Sequence, residues 1–320
     1  MIHKAFILGA GLGTRLRPLT SLRPKPLVPL FNRPIVEYAM DRALALGIQD
    51  IAINTHHLAE VWEEFYPTGT GAVYAGVNGV PSRPSGYREA ALSFFNEPEL
   101  LETGGGIANL GNWIGDEDDV LIYNGDIFCS IPLEPLIAQH TQGDYEATLV
   151  LRSSGPATHI AIDGERIVDI HNKLDRAVGT HQFTGIYAIK GRLLKRLKPN
   201  EKESVIRAFL DLAAEGGLGA VVVDEGEWVD LGDPQSYMAA HASPQMRPAG
   251  VPMVHPDAQV ADDATVTESW VGAGAVVHSG ASLTGTVMWS NTTVAAGASA
   301  SEAIIINGLP KGATVEGEAV

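Results

Sequence analysis

A chain of 320 residues, 45% of them apolar, is long enough for one large domain and a smaller one. Its 22 basic residues against 38 acidic ones give a formal net charge of −16, which argues against general binding to nucleic acid or to anionic membranes. The lone Cys129 excludes an internal disulfide and a multi-cysteine metal site, and no apolar run approaches the roughly 20 residues that a membrane-spanning helix needs.

Met1-Ile2-His3-Lys4 leads straight into the apolar run Ala5–Leu8 and leaves no room for a signal peptide, so the expected location is the cytoplasm. Ala5–Leu8 reads as a short buried strand. It breaks into Gly9-Ala10-Gly11-Leu12-Gly13, where glycine permits close backbone approach. Successive N–H groups in such a loop can converge on an anion. Arg15 adds a forked, permanent cation, and Lys25, between Pro24 and Pro26, a compact one. A polyphosphate is the expected ligand. The loop is not the dinucleotide fingerprint, because Thr14 stands where that motif needs glycine, and no Gly-Lys-Ser/Thr follows at the P-loop spacing.

Further along, Ile35–Leu46 has helical spacing and ends at Gly47; Asp50–Asn54 is a short strand and Leu58–Phe65 a second helix. Alternating strands and helices predict a parallel sheet whose ligands bind outside the carboxyl ends of the strands, where Asn54 and Asp126 should fall. Residues 68–88 are rich in Gly, Pro and Ser and read as a long excursion with a possible hairpin. Ala91–Asn96 resumes the strand pattern, and Gly104–Gly106 reads as a turn before a helix from Ile107. Asp116–Asp119 is a solvated charge run. Val120–Asp126 is an apolar strand ending in a carboxylate, which can cap a turn or hold Mg2+ together with substrate phosphates. Cys129 has no His partner nearby and is expected to be a buried thiol.

From Ala147 to Lys190 the strands are amphipathic and closely spaced, which suggests an antiparallel layer. Ser204–Glu215 is an amphipathic helix, and Asp233 should cap the helix that starts at Pro234. Beyond the linker-like Ser243–Pro252 a repeat appears: Val254, Val271, Met288 and Ile305 are 17 residues apart, as are Val260, Val277 and Val294, with a six-residue subperiod. The expected division is residues 1–243, a linker over 244–252 and a repeat domain over 253–320.

Taken whole, Leu8–Pro29 resembles the signature of sugar-1-phosphate nucleotidyltransferases. That pattern, Gly-x-Gly-x-Arg-x-x-Pro-x-Thr followed by Pro-Lys-Pro and a further Pro, is met by Gly11, Gly13, Arg15, Pro18, Thr20, Pro24, Lys25, Pro26 and Pro29. The resemblance implies an α/β fold: a Rossmann-like nucleotidyltransferase domain with a mixed, mostly parallel sheet. It also implies Mg2+-dependent transfer from an NTP to a sugar 1-phosphate, with release of pyrophosphate. Leu8, Gly9, Ala10, Gly11, Gly13, Thr14, Arg15 and Lys25 would then bind the nucleotide's phosphates, and Thr103 and Gly104 its base. Asp126 of Asn124-Gly125-Asp126 and Asp230 of Trp228-Val-Asp-Leu-Gly-Asp-Pro234 would hold the metal. Arg15, Lys25 and Asp126 would be the catalytic set, and Asn124, Lys173, Thr184 and Gly185 would contact the sugar phosphate. Many members carry Glu-Lys-Pro where this chain has Asn172-Lys173-Leu174.

The Glu102–Gly106 segment is most similar to that of N-acetylmuramate 1-phosphate uridylyltransferases. The tail resembles the left-handed hexapeptide-repeat β-helix found also in mannose-1-phosphate guanylyltransferases, so UTP and GTP are the expected donors. Its coils would expose small, weakly charged faces rich in Ala, Val and Thr, and an open β-helix end needs cover, so a homo-oligomer through the tail is the expected assembly. A phosphate monoester is mostly dianionic at neutral pH, its second pKa being about 6, so the attack needs no general base. Two other classes stay open: a hexapeptide acyltransferase with His255 or His278 as base, and a non-catalytic nucleotide-sugar sensor. Retention of Arg15, Lys25, Asp126 and Asp230 together argues against the sensor. Residues 253–320 are expected to serve assembly rather than transfer.

Overall fold

The computed structural model describes residues 2–67 and 85–320, and most of the expected excursion lies outside the described residues. In chain order the elements begin with β1 (Lys4–Leu8), a tight hairpin of β2 (Pro29–Leu30) and β3 (Arg33–Pro34), and α1 (Ile35–Ala45). Then come β4 (Asp50–Thr55), α2 (Ala59–Phe65), β5 (Ser85–Tyr87), β6 (Ala90–Asn96) and α3 (Glu102–Ala108). They are followed by β7 (Asp119–Asn124), β8 (Ile127–Cys129), α4 (Glu134–Gln142), β9 (Ala147–Arg152), β10 (Thr158–Asp163), β11 (Arg166–Ile170) and β12 (His181–Lys190). Last before the repeats are α5 (Ile206–Glu215), β13 (Leu218–Val222), β14 (Trp228–Asp230) and α6 (Pro234–Ala242). Packing divides the chain into two compact units, Met1–Leu12 with Val36–Trp228 and Gly13–Ile35 with Val229–Val320. The segment carrying Arg15 and Lys25 thus packs with α6 and the repeats, a grouping that composition alone did not suggest.

The first unit is built on one ten-stranded sheet in the order β10-β11-β13-β9-β12-β7-β1-β4-β6-β5. Strands β7, β1, β4 and β6 are parallel neighbours, joined by crossovers long enough to carry helices. Parallel pairing is otherwise confined to β9 and β13, so the sheet is mixed rather than mostly parallel. The hairpin-spaced strands after Ala147 do not form a separate layer: β12 runs antiparallel to both β7 and β9 and fuses them into the same sheet. The core is apolar and close-packed around Phe6, Ile122, Tyr187 and Phe209. Cys129 is buried, as expected, and burial pushes its thiol up.

In the second unit the repeats form three short parallel sheets. Their register follows the 17-residue interval, with Val271 opposite Met288 and then Ile305, and Val260 opposite Val277 and then Val294. Val271, Val277, Met288, Val294 and Ile305 are buried in one apolar stack, because each layer covers its apolar side chains only by lying on the next. Asp233 caps α6 as expected, accepting from Ser236 N–H while the Ser236 hydroxyl accepts from Asp233 N–H.

Candidate active site

The first unit brings three predicted segments to one edge of its sheet. Leu8 at the end of β1 lies in register with Asn54 on one side and Asn124 on the other, the carboxyl edge where parallel sheets bind ligands. Gly9 leaves the strand so closely that a Cβ would stand 2.7 Å from the Asn54 carbonyl oxygen. Its N–H donates to Asn54 Oδ1 at 2.7 Å, and Asn54 Nδ2 donates to Glu97 Oε1 at 2.6 Å. Glu97 also accepts from Leu101 N–H at 3.0 Å. Burial pushes the Glu97 carboxyl up, against the opposing pull of the Asn54 donor. Ala10 is buried, whereas Gly11 and Thr14 are exposed. The loop's root is therefore fixed and its tip faces outward. Asn54 was expected at this edge, but its hold on the loop through Glu97 was not visible in the sequence.

Across β1, Gly125 N–H donates to Leu8 O at 2.9 Å, and a Cβ on Gly125 would meet that oxygen at 2.8 Å. Asp126 is thereby set beside the exit of β1, half-buried. Beyond Phe183 the pairing of β12 with β9 shifts, and at this bulge Gly185 takes φ +78. A Cβ there would lie 2.6 Å from Asn124 Nδ2, so only glycine lets the two predicted sugar residues meet. Bulges of this type commonly re-aim side chains at sites. Thr184 is fully buried; its hydroxyl donates to Val150 O at 2.8 Å and its carbonyl accepts from Trp228 Nε1 at 2.7 Å. Its hydroxyl is thus committed to the bulge.

Lys173 is exposed on the turn after β11. That turn is ordered by buried Asp169, which accepts from Leu174 N–H at 3.1 Å and Arg176 N–H at 2.9 Å. Burial pushes the Asp169 carboxyl up, but these N–H donors outweigh it and hold it below its ordinary value. Arg176 Nη1 also donates to Ala213 O at 3.1 Å at the end of α5.

Glycines 104 to 106 are not a turn. They lie inside α3, which begins at Glu102 rather than Ile107. The reason is contact: a Cβ on Gly104 would stand 2.9 Å from Glu203 O, and one on Gly105 2.3 Å from Glu201 O. Gly104 N–H donates to Glu203 O at 2.8 Å, and Thr103 Oγ1 accepts from Val205 N–H at 3.0 Å. Both residues proposed for the base therefore also lock α3 against the approach to α5.

In the second unit Gly13 sits at φ +60 and its carbonyl accepts from the Thr20 hydroxyl at 2.8 Å. Lys25 starts a short 3-10 turn, Lys25–Leu27, and is almost wholly buried. Its Nζ is 3.2 Å from Asp230 Oδ1, and Arg15 Nη2 is 3.7 Å from Asp230 Oδ2. Gly232 lies flat against the Arg15 guanidinium, where a Cβ would come within 3.2 Å. Two residues assigned to phosphates and one assigned to metal thus form a single charge cluster, which spacing could not reveal. A cavity of about 1050 Å3 in this unit lies between α6 and the repeats, lined among others by Met238, Met253, Trp270 and Ile304; none of the predicted site residues lines it.

The nucleotidyl transferase family profile matches residues 4–246 of this chain. Mannose-1-phosphate guanylyltransferase of Mycobacterium tuberculosis is 28% identical over 309 residues, covering 92% of this chain and 81% of its own. Mannose-1-phosphate guanyltransferase of Hypocrea jecorina is 26% identical over 269 residues, covering 79% and 70%. The crystal structure of a putative glucose-1-phosphate thymidylyltransferase from Bacillus anthracis shares the fold, with a TM-score of 0.63 and 21% identity over 77% of this chain and 97% of that one. The matched span takes in most of the chain and every residue of the two clusters, and the chain belongs to the nucleotidyl transferase family.

Proposed function

We propose that this protein transfers a nucleotidyl group from GTP or UTP to a sugar 1-phosphate in the presence of Mg2+, forming an NDP-sugar and pyrophosphate. Transfer to a sugar 1-phosphate is common to the names given above; the two sequence relatives' names favour GTP and mannose 1-phosphate, while the structural neighbour's names glucose 1-phosphate and a thymidylyl donor. The observation that carries the reading is the Lys25–Asp230 pair. The signature lysine and the carboxylate of the Trp-x-Asp-x-Gly-x-Pro motif are 205 residues apart in sequence and 3.2 Å apart in the fold.

The sugar phosphate oxygen attacks the α-phosphorus in line with departing pyrophosphate, so the protein's task is positioning and charge relief. We assign the amides of Leu8 to Thr14, with Arg15 and Lys25, to the triphosphate, and Thr103 and Gly104 to the base. Asn124, Lys173, Thr184 and Gly185 take the sugar phosphate, Thr184 through its backbone because its hydroxyl is already bonded to Val150 O. Lys25 and Asp230 neutralise each other. A phosphate arriving at Lys25 and a metal at Asp230 would leave the local charge balanced.

Asp126 and Asp230 offer the oxygen ligands Mg2+ prefers. Among the described residues no three His, Cys, Asp or Glu side chains cluster as a metal cage, which suits an ion that takes much of its shell from substrate phosphates. When bound, that ion would offset negative charge on the phosphoryl group being transferred. We read the repeat region as a left-handed β-helix through which copies assemble, on the strength of its three-sheet register and the outer edge of its last strand, Thr314–Glu316, which pairs with no further strand among the described residues. Light scattering on the full chain tests the assembly. A cytoplasmic location follows from the nucleotide substrate; among the described residues no helix is long and apolar enough to cross a membrane.

The direct test of the activity is chromatography of the protein incubated with GTP or UTP and mannose, glucose or N-acetylhexosamine 1-phosphates, with Mg2+ or with EDTA. An NDP-sugar peak that EDTA abolishes is expected. No NDP-sugar from any combination would refute the reading.

A further inference from the structure

We infer that the repeat region positions Lys25, through a latch at the Phe31-Asn32 turn. Only the task given to Lys25 rests on the functional reading above; the latch itself rests on packing within the second unit.

The turn between β2 and β3 is held in a conformation its residues do not favour. Phe31 and Asn32 have φ of 51° and 64°, the pair of left-handed angles that a two-residue hairpin requires. Asparagine tolerates this region, but a bulky phenylalanine rarely adopts it. Such a conformation persists where the surroundings over-determine it. Here they do. Phe31 is fully buried, its ring 4.9 Å from that of Trp270 and 5.2 Å from that of His241. Its N–H donates to His241 Nε2 at 3.1 Å, and His241 Nδ1 lies 3.0 Å from Tyr237 O. One imidazole nitrogen therefore accepts and the other donates, which fixes a neutral ring with its proton on Nδ1. Burial pushes the His241 pKa down to about 4, in keeping with that state. Trp270 Nε1 donates to His241 O at 3.1 Å, and Asn32 Nδ2 lies 3.3 Å from Val271 O and 3.5 Å from Met253 O.

Lys25 is fastened on both flanks by this assembly. On one side Tyr237 donates its hydroxyl to Pro29 O at 2.6 Å, and Trp289 Nε1 lies 3.3 Å from that hydroxyl. On the other the Arg23 guanidinium sits 5.0 Å over the Trp289 ring. Between the anchors the chain has little slack: Leu27 N–H donates to Pro24 O at 2.8 Å and Val28 N–H to Lys25 O at 3.1 Å. Tyr237 and His241 belong to α6, whose cap Asp233 follows Asp230 by three residues. One helix, braced by Trp270 and Trp289 of the repeats, thus registers both members of the Lys25–Asp230 pair. Residues 253–320 therefore have a part in transfer that their bland composition did not suggest.

The test compares Asn32→Gly, Trp270→Ala and Trp270→Phe, alone and combined with Lys25→Ala. Asn32→Gly keeps the left-handed turn and removes only the contacts to Met253 and Val271. Asn32→Gly and Trp270→Ala should each lower kcat/KM for the NTP about tenfold, and Trp270→Phe, which keeps a ring against Phe31, should restore most of it. In the Lys25→Ala background the same changes should cost less than about twofold, because residues acting through one group are not additive. Hydrogen exchange at the Leu27 and Val28 amides should rise about tenfold in Asn32→Gly, with β1 and β4 unaffected. Equal losses in both backgrounds, or unchanged exchange at Leu27 and Val28, would overturn the latch. If Trp270→Ala does not fold, Asn32→Gly decides. If the unaltered protein forms no NDP-sugar, the functional reading fails while the exchange measurement still judges the latch.

Discussion

Replacing Asn54 by Asp changes one NH2 group to an oxygen at the root of the glycine-rich loop and alters almost nothing else. The acceptor for Gly9 N–H survives, and no cavity opens. The contact to Glu97 changes sign. Nδ2 now donates to Oε1 at 2.6 Å, and in N54D two carboxyl oxygens face each other at that distance, on side chains only 2% and 3% exposed. They cannot both ionise, so the pair must retain a proton. In the unfolded chain both carboxyls have pKa values near 4. The folded pair's pKa is raised, so its stability is fully present below about pH 4 and is lost as pH rises through the folded value, at about 1.4 kcal/mol per pH unit for one retained proton. Between pH 5 and pH 7 N54D should lose up to about 3 kcal/mol, and more than the unaltered protein, whose lone Glu97 carboxyl is also pushed up by burial but faces an amide donor rather than a second carboxyl. Near pH 5 the protonated pair restores the missing hydrogen bond, and the two should agree to about 1 kcal/mol. Urea denaturation of both proteins at pH 5, 6 and 7 reads this directly. A deficit that does not grow with pH would show that Glu97 is not the charged partner holding the loop.

Asp126→Asn and Asp230→Asn should each reduce turnover at least about 100-fold, since each removes a charge assigned to the metal that serves the transferring phosphoryl group; Asp230→Asn should also lower Tm, because it takes the charged partner from the buried Lys25, and near-normal Mg2+-dependent rates in both would end that assignment. Gly185→Ala forces a side chain into φ +78 against Asn124, a strain of about 1–2 kcal/mol before the clash. It should raise KM for the sugar 1-phosphate about tenfold and leave KM for the NTP within about twofold, and initial rates with each substrate varied would show the contrast. His241 is buried and neutral, with its pKa pushed down from 6.5 to about 4. The unfolded chain takes up that proton first, so the stability is complete above about pH 6.5 and falls by up to about 3 kcal/mol towards pH 4. His241→Asn should flatten that acid limb of the stability curve, and an unchanged limb would assign the pH dependence elsewhere.

Much of this was legible because some physical constraints write themselves periodically. Parallel stacking places equivalent residues one layer apart, so the 17-residue interval of Val254, Val271, Met288 and Ile305 is the observed register itself. Apolar runs located β1, β4 and β7, and the place of Asn54 at the carboxyl edge followed from sheet topology, whereas β7 stops at Asn124 and leaves Asp126 in the turn that follows rather than at the strand end. What stayed hidden depends on partners distant in sequence. The helical Gly104–Gly106 violates local propensity and is explained only by the close approach of Glu201 and Glu203. The Asn54–Glu97 bond spans 43 residues and the Lys25–Asp230 pair 205. A left-handed Phe31 runs against the residue's own preference, and nothing in Leu30-Phe31-Asn32-Arg33 announces that His241 and Trp270 enforce it. The antiparallel strands after Ala147 were expected, but not their fusion into the same sheet, because β12 turns back beside β7 instead of starting a new layer.

The assignment of the Lys25–Asp230 cluster and of the loop rooted on Asn54 to nucleotidyl transfer can be decided by following α-labelled GTP and UTP in parallel, each with a panel of sugar 1-phosphates, in the unaltered protein and in Asp230→Asn. Mg2+-dependent passage of the label into an NDP-sugar, with one pyrophosphate released per product and the rate collapsing in Asp230→Asn, is the predicted result. Label that stays in the NTP under every combination, or that moves equally fast in Asp230→Asn, would contradict it.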